Sequence, residues 1–378
     1  MDTEKLRFTF CSSLKIGRGV YVVQDCLLSS CKTLRVLKKE GLTCPEFKID
    51  SFRSESSSLS FREARIRLAF DFRKLEVGDL VYIDFNHGYF EVVLRYGSKS
   101  NALLITERCN HRCIMCSQPP QDTDELDWRD KFDFIADAMP IGLESFCITG
   151  GEPSLYLDDL ISPINKLLER NLSLVTILSN GALVSRRRAR EFACQVNPSQ
   201  VLWCIPLYSH NPSVHDLIVG SKGAWFRTIE GMLNLHEEGF PIQIRFIPLA
   251  QNQGDLFELA RFATSSLSFA QQFVLMGLEV TGYAADNLEQ IKPNYTIVKS
   301  QLEQIDRLVV GRKMRFNIFN IPLCNLPESL WKYSVQSISD WKNAFAEPCS
   351  ACEVKSSCAG FFTTSEVNLF EINPVSFG

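Results

Sequence analysis

The sequence predicts an α/β protein built on a partial (β/α)6, TIM-like barrel, with a β-rich domain before it and a cysteine-rich domain after it. Three observations predict this. Six strand-like apolar runs alternate with helical patterns between residues 101 and 285. Short β-branched and aromatic runs fill residues 1–100. Residues 286–378 have weaker periodicity and hold four of the fourteen cysteines.

Residues 1–100 contain "GVYVVQDCLL", "ARIRLAFDF", "DLVYIDF" and "YFEVVLRY", separated by Gly, Asp and Asn. This is the texture of short strands and turns. The serine-rich "SFRSESSSLS" at 51–60 reads as an exposed loop. The barrel strands are expected at 102–106, 145–149, 172–178, 201–207, 242–249 and 272–280. Most are continuous apolar runs, which suit strands buried on both faces. Helical patterns lie between them at Trp128–Met139, Leu155–Arg170, Arg186–Cys194, Ala224–Glu238 and Asp255–Ser266. Alternation at this spacing implies a parallel sheet with right-handed crossovers. Six units imply an open barrel, with its chemistry at the carboxyl ends of the strands.

The net charge of −4 argues against a broadly basic nucleic-acid footprint. No run of about 18 apolar residues points to a membrane span, and the N-terminus lacks the marks of a signal peptide. A cytoplasmic location is expected. Disulfides rarely persist there, so several cysteines are expected to be metal ligands and the rest core thiols.

The first candidate site is "ERCNHRCIMCSQPP" (107–120), where Cys109, Cys113 and Cys116 have the spacing C-x3-C-x2-C directly after the first barrel strand. Thiolates ligate iron–sulfur clusters, and three of them leave one iron of a cubane open. Spacing alone also admits a structural zinc with a distant fourth ligand, His111 being one candidate. Four further motifs follow in order. "TGGEP" (149–153) follows strand two, "SNG" (179–181) strand three, and "YSHNPSVHDLIVGSKGAWFRTIEG" (208–231) strand four. "MGLEVTGYA" (276–284) lies on strand six.

Together these motifs resemble the radical SAM superfamily over residues 101–285. The resemblance implies a [4Fe-4S] cluster on Cys109, Cys113 and Cys116, with S-adenosylmethionine (SAM) on the open iron. It further implies reductive cleavage of SAM to a 5′-deoxyadenosyl radical that takes hydrogen from substrate. Glu152, with Gly150 and Gly151, would meet the SAM amino group. Ser179 and Asn180 would face its ribose or carboxylate, and Arg245 its carboxylate, with an interior ion pair as the plain alternative for Arg245. Met276 would lie near adenine. Met115 stands where the family usually has an aromatic residue, and its thioether can still pack there.

The C-terminal "CSACEVKSSCAGFF" supplies Cys349, Cys352 and Cys358, and "IPLCNLP" supplies Cys324. Four thiolates suffice for a closed second [4Fe-4S] cluster, and equally for a structural zinc. The pattern resembles the auxiliary-cluster domains (SPASM or twitch) of peptide-modifying radical SAM enzymes, although "AGFF" replaces a further cysteine of the longer version. "QSISDWKNAF…CSACEVKSSCAGFF" (336–362), together with "MCSQPP" in the first cysteine loop, is most similar to the C-type maturases of the His-Xaa-Ser system. The resemblance implies a ribosomally made precursor peptide as substrate, a partner radical SAM maturase, and a reductant such as flavodoxin or ferredoxin. A modifier of RNA or of a cofactor precursor, and an iron–sulfur or zinc binding module without turnover, are the alternatives.

Other features carry plainer expectations. Cys11, Cys26, Cys31 and Cys44 lack paired spacing and read as buried or free thiols. Cys147 and Cys204 read as core. "SRRRAR" (185–190) reads as a solvated helix face, His215 as a structural hydrogen-bonding residue, and Trp225 and Phe226 as core.

Overall fold

The computed structural model describes residues 6–7, 18–25, 32–36, 47–53, 56–60, 65–68, 78–84, 89–98, 101–123, 132, 135–137, 139, 143–312, 314–335, 343–364 and 369–376. The chain divides into two compact units. One comprises Met1–Leu103, Asp127–Phe146 and Ser162–Ser173; the other comprises Leu104–Leu126, Cys147–Ile161 and Leu174–Gly378. Cys11, Cys26, Cys31, Cys44 and most of the helix expected over Trp128–Met139 lie outside the described residues.

The first unit carries an antiparallel sheet. Its strands are β1 (Leu6–Arg7), β2 (Arg18–Asp25), β3 (Lys32–Val36), β4 (Phe47–Arg53), β5 (Ser56–Ser60), β6 (Arg65–Leu68), β7 (Leu80–Asp84) and β8 (Tyr89–Leu94). The order is β1-β8-β7-β2-β3-β4-β5-β6. The loop expected at 51–60 is instead mostly strand. Lys48 pairs with Ser60 and Ile49 with Leu59, and the serines of β5 pair on their other side with β6. Ladder hydrogen bonds from both neighbours override the low strand propensity of serine.

Eight strands make the parallel sheet, in the order β16-β15-β14-β13-β12-β11-β10-β9. They are β9 (Ala102–Leu104), β10 (Ser145–Thr149), β11 (Leu174–Leu178), β12 (Val201–Pro206), β13 (Ile242–Phe246), β14 (Gln272–Met276), β15 (Arg315–Phe319) and β16 (Ser334–Val335). The expected six are all present. The count of six was short by two, because β15 and β16 lie in the segment where periodicity fades. β15 is held by five register pairs to β14, and β16 by two to β15. The second helix opens as a 3-10 turn (Pro153–Leu160) and continues as an α-helix (Ile161–Glu169).

β12, β13 and β14 are buried on both faces as expected, with Trp203, Cys204 and Ile205, then Ile242, Gln243 and Ile244, then Phe273, Val274 and Leu275 consecutively buried. β10 and β11 alternate half-buried with fully buried residues. On β12 to β15 one parity includes Trp203, Ile205, Ile244, Phe273 and Ile318. The other parity carries Cys204, Gln243, Arg245, Gln272 and Asn317. Successive side chains point to opposite faces of a strand, so this polar set shares the inner face. The lumen is lined by groups that hydrogen-bond across strands, whereas a closed TIM barrel fills it with branched apolar side chains.

Local signals fix the helices. Ser185 caps the helix Arg186–Ala193 at the amide of Arg188. Asn211 caps Pro212–Val219, which ends on Gly220 in the left-handed region (φ 64°). In the helix Ala224–Glu237 the buried face is Ala224, Thr228, Gly231, Met232 and Leu235. Phe226 therefore does not reach the core and is 64% exposed. Adjacent helical residues point about 100° apart, so Trp225 and Phe226 cannot both face inward. Among the described residues no helix is long and apolar enough to cross a membrane.

Candidate functional site

The loop after β9 carries Cys109, Cys113 and Cys116, all half-buried and none in a disulfide. It is braced from three sides. The amides of Arg112 and Ile114 donate to the carbonyls of Val219 (3.0 Å) and Ile218 (3.0 Å). Asn287 Nδ2 donates to the Ile114 carbonyl (2.9 Å), and Thr281 Oγ1 to that of Ser117 (3.1 Å). From the third side, the amides of Gly151 and Glu152 donate to the carbonyls of Thr106 (2.8 Å) and Arg108 (2.8 Å).

The glycines of "TGGEP" take their meaning from that third contact. A Cβ on Gly151 would lie 2.2 Å from the Arg108 carbonyl oxygen, and one on Gly150 would lie 2.6 Å from that of Thr106. The small residues let this turn press onto the strand that launches the cysteine loop. Gly220 does the same from the other side, since its Cβ would fall 2.6 Å from the Arg112 carbonyl oxygen.

Glu152 has no exposed surface. Its Oε1 accepts from Ser179 Oγ (2.6 Å) and the Ser154 amide (2.9 Å), and its Oε2 accepts from the Asn180 amide (2.7 Å). Burial raises its pKa, and these hydrogen bonds pull against that rise. Asn180 Nδ2 reaches back to Asn110 Oδ1 (2.8 Å), with Cys109 Sγ at 3.9 Å. "TGGEP", "SNG" and the cysteine loop are thus one hydrogen-bonded unit centred on a buried carboxylate. Met115 is 5% exposed, and Met276 is half-buried at the end of β14.

The segment after β12 supplies the brace. Asp216 accepts from the amides of Gly223 and Trp225, closing the turn that presents Gly220. His215 Nδ1 accepts from the Tyr208 amide (3.2 Å), a structural hydrogen bond as expected. Burial lowers the His215 pKa to about 4. Burial likewise lowers that of His111 to about 4, and neither His111 ring nitrogen has a hydrogen-bond partner.

Arg245 faces the lumen, with Nε on Gln243 Oε1 (2.6 Å) and Nη2 on Cys204 Sγ (3.4 Å). Among the described residues no carboxylate pairs with it. Cys204 is buried and Cys147 half-buried. Burial drives the Cys147 thiol up to about 12. On "SRRRAR", Arg186 and Arg187 are exposed and pair with Glu237 (3.1 Å) and Glu191 (3.8 Å). Arg188 turns inward to the Leu183 carbonyl (2.9 Å) and that of Ser154.

The four C-terminal cysteines line one cleft of about 370 Å³, open to solvent, together with Leu323, Phe345, Val354, Lys355, Phe361 and Ile372. Cys358 Sγ accepts from the amides of Leu323 and Gly360 (3.4 Å each), and Cys352 Sγ from that of Val375 (3.4 Å). Asn325 Nδ2 donates to Cys324 Sγ (3.3 Å). Hydrogen bonds to sulfur stabilise thiolates and tune clusters held by them.

Sequence reasoning missed Asn110, Tyr208 and Gln243. Tyr208 had a signal in strand parity, since it continues the face of Cys204 and Pro206. Asn110 and Gln243 had none, because their roles depend on partners at 180 and 272 that only the fold brings near.

Residues 103–263 match the model of the Radical SAM superfamily. A GTP 3′,8-cyclase of Rippkaea orientalis is 30% identical over 173 residues, 41% of this chain and 50% of that protein. An Fe-coproporphyrin III synthase of Methanosarcina barkeri is 28% identical over 155 residues, 40% of this chain and 37% of that protein. The chain spans half or less of the length of these curated relatives. Streptococcus suis SuiB, in a crystal structure with S-adenosylmethionine, aligns at a TM-score of 0.47 and 18% identity over 66% of this chain and 54% of its own.

The family implies SAM and a [4Fe-4S] cluster, and the residues present fit. Burial raises the Cys109 thiol to about 11, and raises Cys113 and Cys116 as well. The thiols are kept neutral unless a metal supplies positive charge. Among the described residues no group of three or more His, Cys, Asp or Glu side chains converges on a single metal ion. The matched segment, with its cysteine loop at the carboxyl end of the first strand of a parallel sheet, is similar to the Radical SAM superfamily over residues 103–263.

Proposed function

We propose that this chain is a radical SAM enzyme that modifies a ribosomally made precursor peptide, of the His-Xaa-Ser type, by hydrogen abstraction. The observation that carries the enzyme reading is the three-thiol loop locked to the buried Glu152 inside the matched segment. Cys109, Cys113 and Cys116 hold the cluster. When bound, the cluster and SAM supply the hydrogen-abstracting chemistry. The buried Glu152 holds the Gly150–Gly151 turn against the cysteine loop, and that turn would meet the SAM amino group. Ser179 and Asn180 fix the Glu152 oxygens in place. Met115 and Met276 give apolar, polarisable packing for adenine.

Cys324, Cys349, Cys352 and Cys358 hold a second [4Fe-4S] cluster. Four thiols around one cleft with N–H···S bonds support that assignment. The peptide reading rests on the sequence resemblance to His-Xaa-Ser maturases, with a partner maturase and a flavodoxin or ferredoxin as reductant. A second reading, modification of a cofactor precursor, is favoured by the names of the two curated relatives.

Anaerobic reconstitution should load about eight iron atoms per chain, two cubanes' worth. Reduced protein should release 5′-deoxyadenosine from SAM. A chain that never does so with strong reductant is a binding module. Co-expression with a peptide bearing His-Xaa-Ser repeats should shift the peptide's mass. Turnover of SAM with an unchanged peptide would move the assignment to a cofactor precursor.

A further inference from the structure

A chain of side-chain hydrogen bonds crosses the inner face of the parallel sheet and ends on Arg245. Arg245 Nε donates to Gln243 Oε1 (2.6 Å), Gln243 Nε2 to Gln272 Oε1 (2.6 Å), and Gln272 Nε2 to Asn317 Oδ1. The chain spans β13, β14 and β15, with Gln243 directly beside Gln272. An arginine has donors only. It takes the Gln243 carbonyl, which turns the Gln243 amide nitrogen toward Gln272, and the same choice passes on to Asn317. In return the ladder fixes Nε, and with it the plane of the guanidinium. Nη2 rests on Cys204 Sγ (3.4 Å), and Nη1 has no partner among the described residues. The outer end of the fork is left open, in the shape that takes a carboxylate through parallel N–H bonds.

Strand register gives the height of that fork. Leu178 stands beside Cys204, and Pro206 beside Arg245. The Ser179 amide donates to the Cys204 carbonyl (3.2 Å), so the pairing of β11 with β12 runs on past Leu178. Continued to the next residue, it sets Asn180 beside Pro206 and level with Arg245. Registered residues of neighbouring strands point to the same face, so Asn180 and Arg245 share the inner face, about 10 Å apart across β12. Asn180 is itself tied to the cysteine loop at Asn110 Oδ1 (2.8 Å), and its amide to Glu152 Oε2 (2.7 Å). Arg245 thus stands at the level where the strand ends meet that loop.

We propose that Gln243, backed by Gln272 and Asn317, is a positioning residue that aims the Arg245 guanidinium at the carboxylate of bound SAM. This rests on the enzyme reading above and adds the amides that hold its carboxylate contact. A long side chain loses rotamer freedom when it grips a ligand. The ladder removes that freedom before the ligand arrives, which is preorganisation.

The test is equilibrium dialysis of the reconstituted, unreduced protein against SAM and decarboxylated SAM, two ligands that differ only in the carboxylate. The readout is the preference for SAM, the ratio of the two dissociation constants, in which a loss common to both ligands cancels. Arg245→Met should lower the preference at least about ten-fold. Gln243→Met should lower it about five-fold, and Gln272→Met, one bond further from the guanidinium, about two-fold. Decarboxylated SAM should bind each variant within about two-fold of the natural protein. A preference that survives Arg245→Met would free the arginine from the cofactor and overturn the proposal. So would a preference that Arg245→Met removes but both glutamine variants keep, since the arginine then needs no aiming. Equal weakening of both ligands in the two glutamine variants would make the ladder a structural brace, and a natural protein without preference for SAM also overturns the proposal. Release of 5′-deoxyadenosine by the reduced natural protein judges the enzyme reading separately.

Discussion

Cys113 is the middle thiol of the loop, and burial raises its pKa further than that of Cys109. A thiol so placed has no function as a nucleophile at neutral pH, but it does as a ligand whose charge is supplied by metal. Cys113→Ala should lower iron from about eight to about four per chain and abolish 5′-deoxyadenosine release. Iron assay and chromatography of the reaction check this. His215 gives a pH prediction. Its folded pKa is depressed to about 4 from 6.5 by burial, so the unfolded chain binds more protons below pH 6.5. Its contribution to stability is complete above pH 6.5 and is lost as pH falls through 4, at up to about 1.4 kcal/mol per pH unit in between. Urea midpoints at pH 7 and pH 5 should fall further for the natural protein than for His215→Asn. The cysteine triad was legible because its spacing is local. The ring of donors on Glu152 was not, since Ser179 and Asn180 lie 27 and 28 residues away and meet it only when β10 and β11 stand side by side.

At the scale of elements, the site is a loop clamped by two turns. The clamp explains Gly150 and Gly151, which the sequence had connected with the cofactor and which meet the backbone of Thr106 and Arg108, and also Gly220, which meets Arg112. Gly151→Ala puts a carbon 2.2 Å from a carbonyl oxygen. The backbone must shift, at a cost of about 1–3 kcal/mol. The variant should melt lower and fail to load iron on the first three cysteines, while the C-terminal set still loads. Differential scanning calorimetry with iron assay reads both. Melting and full iron loading like the natural protein would show that the clamp is dispensable. Six strands and four helices were visible from apolar runs and caps. The strands at 51–60 were hidden by serine, which pairs well only once neighbours supply the ladder. Phe226 was misplaced because apolar character does not report the side of a helix.

For the whole molecule, the two cysteine sets occupy separate parts of one compact unit, and the second set lies outside the matched segment. Under the proposed function the sets separate cleavage from productive modification. Cys352→Ala should retain 5′-deoxyadenosine release within about two-fold while the modified peptide falls at least about ten-fold. Parallel assays of nucleoside and peptide mass check this, and equal losses in both would merge the two roles. By itself the sequence determined the alternation of strand and helix, the cysteine spacings and the glycine-rich turns. These are carried by residues close in the chain, where periodicity and turn chemistry act. Only the tertiary structure decided that eight strands join, that the lumen is polar, and that Cys324 shares a cleft with Cys349, Cys352 and Cys358. It also decided that Arg245 stands on the inner face of the sheet with no carboxylate partner among the described residues. Those outcomes depend on strand register and on burial between residues far apart in sequence, and no local pattern records them.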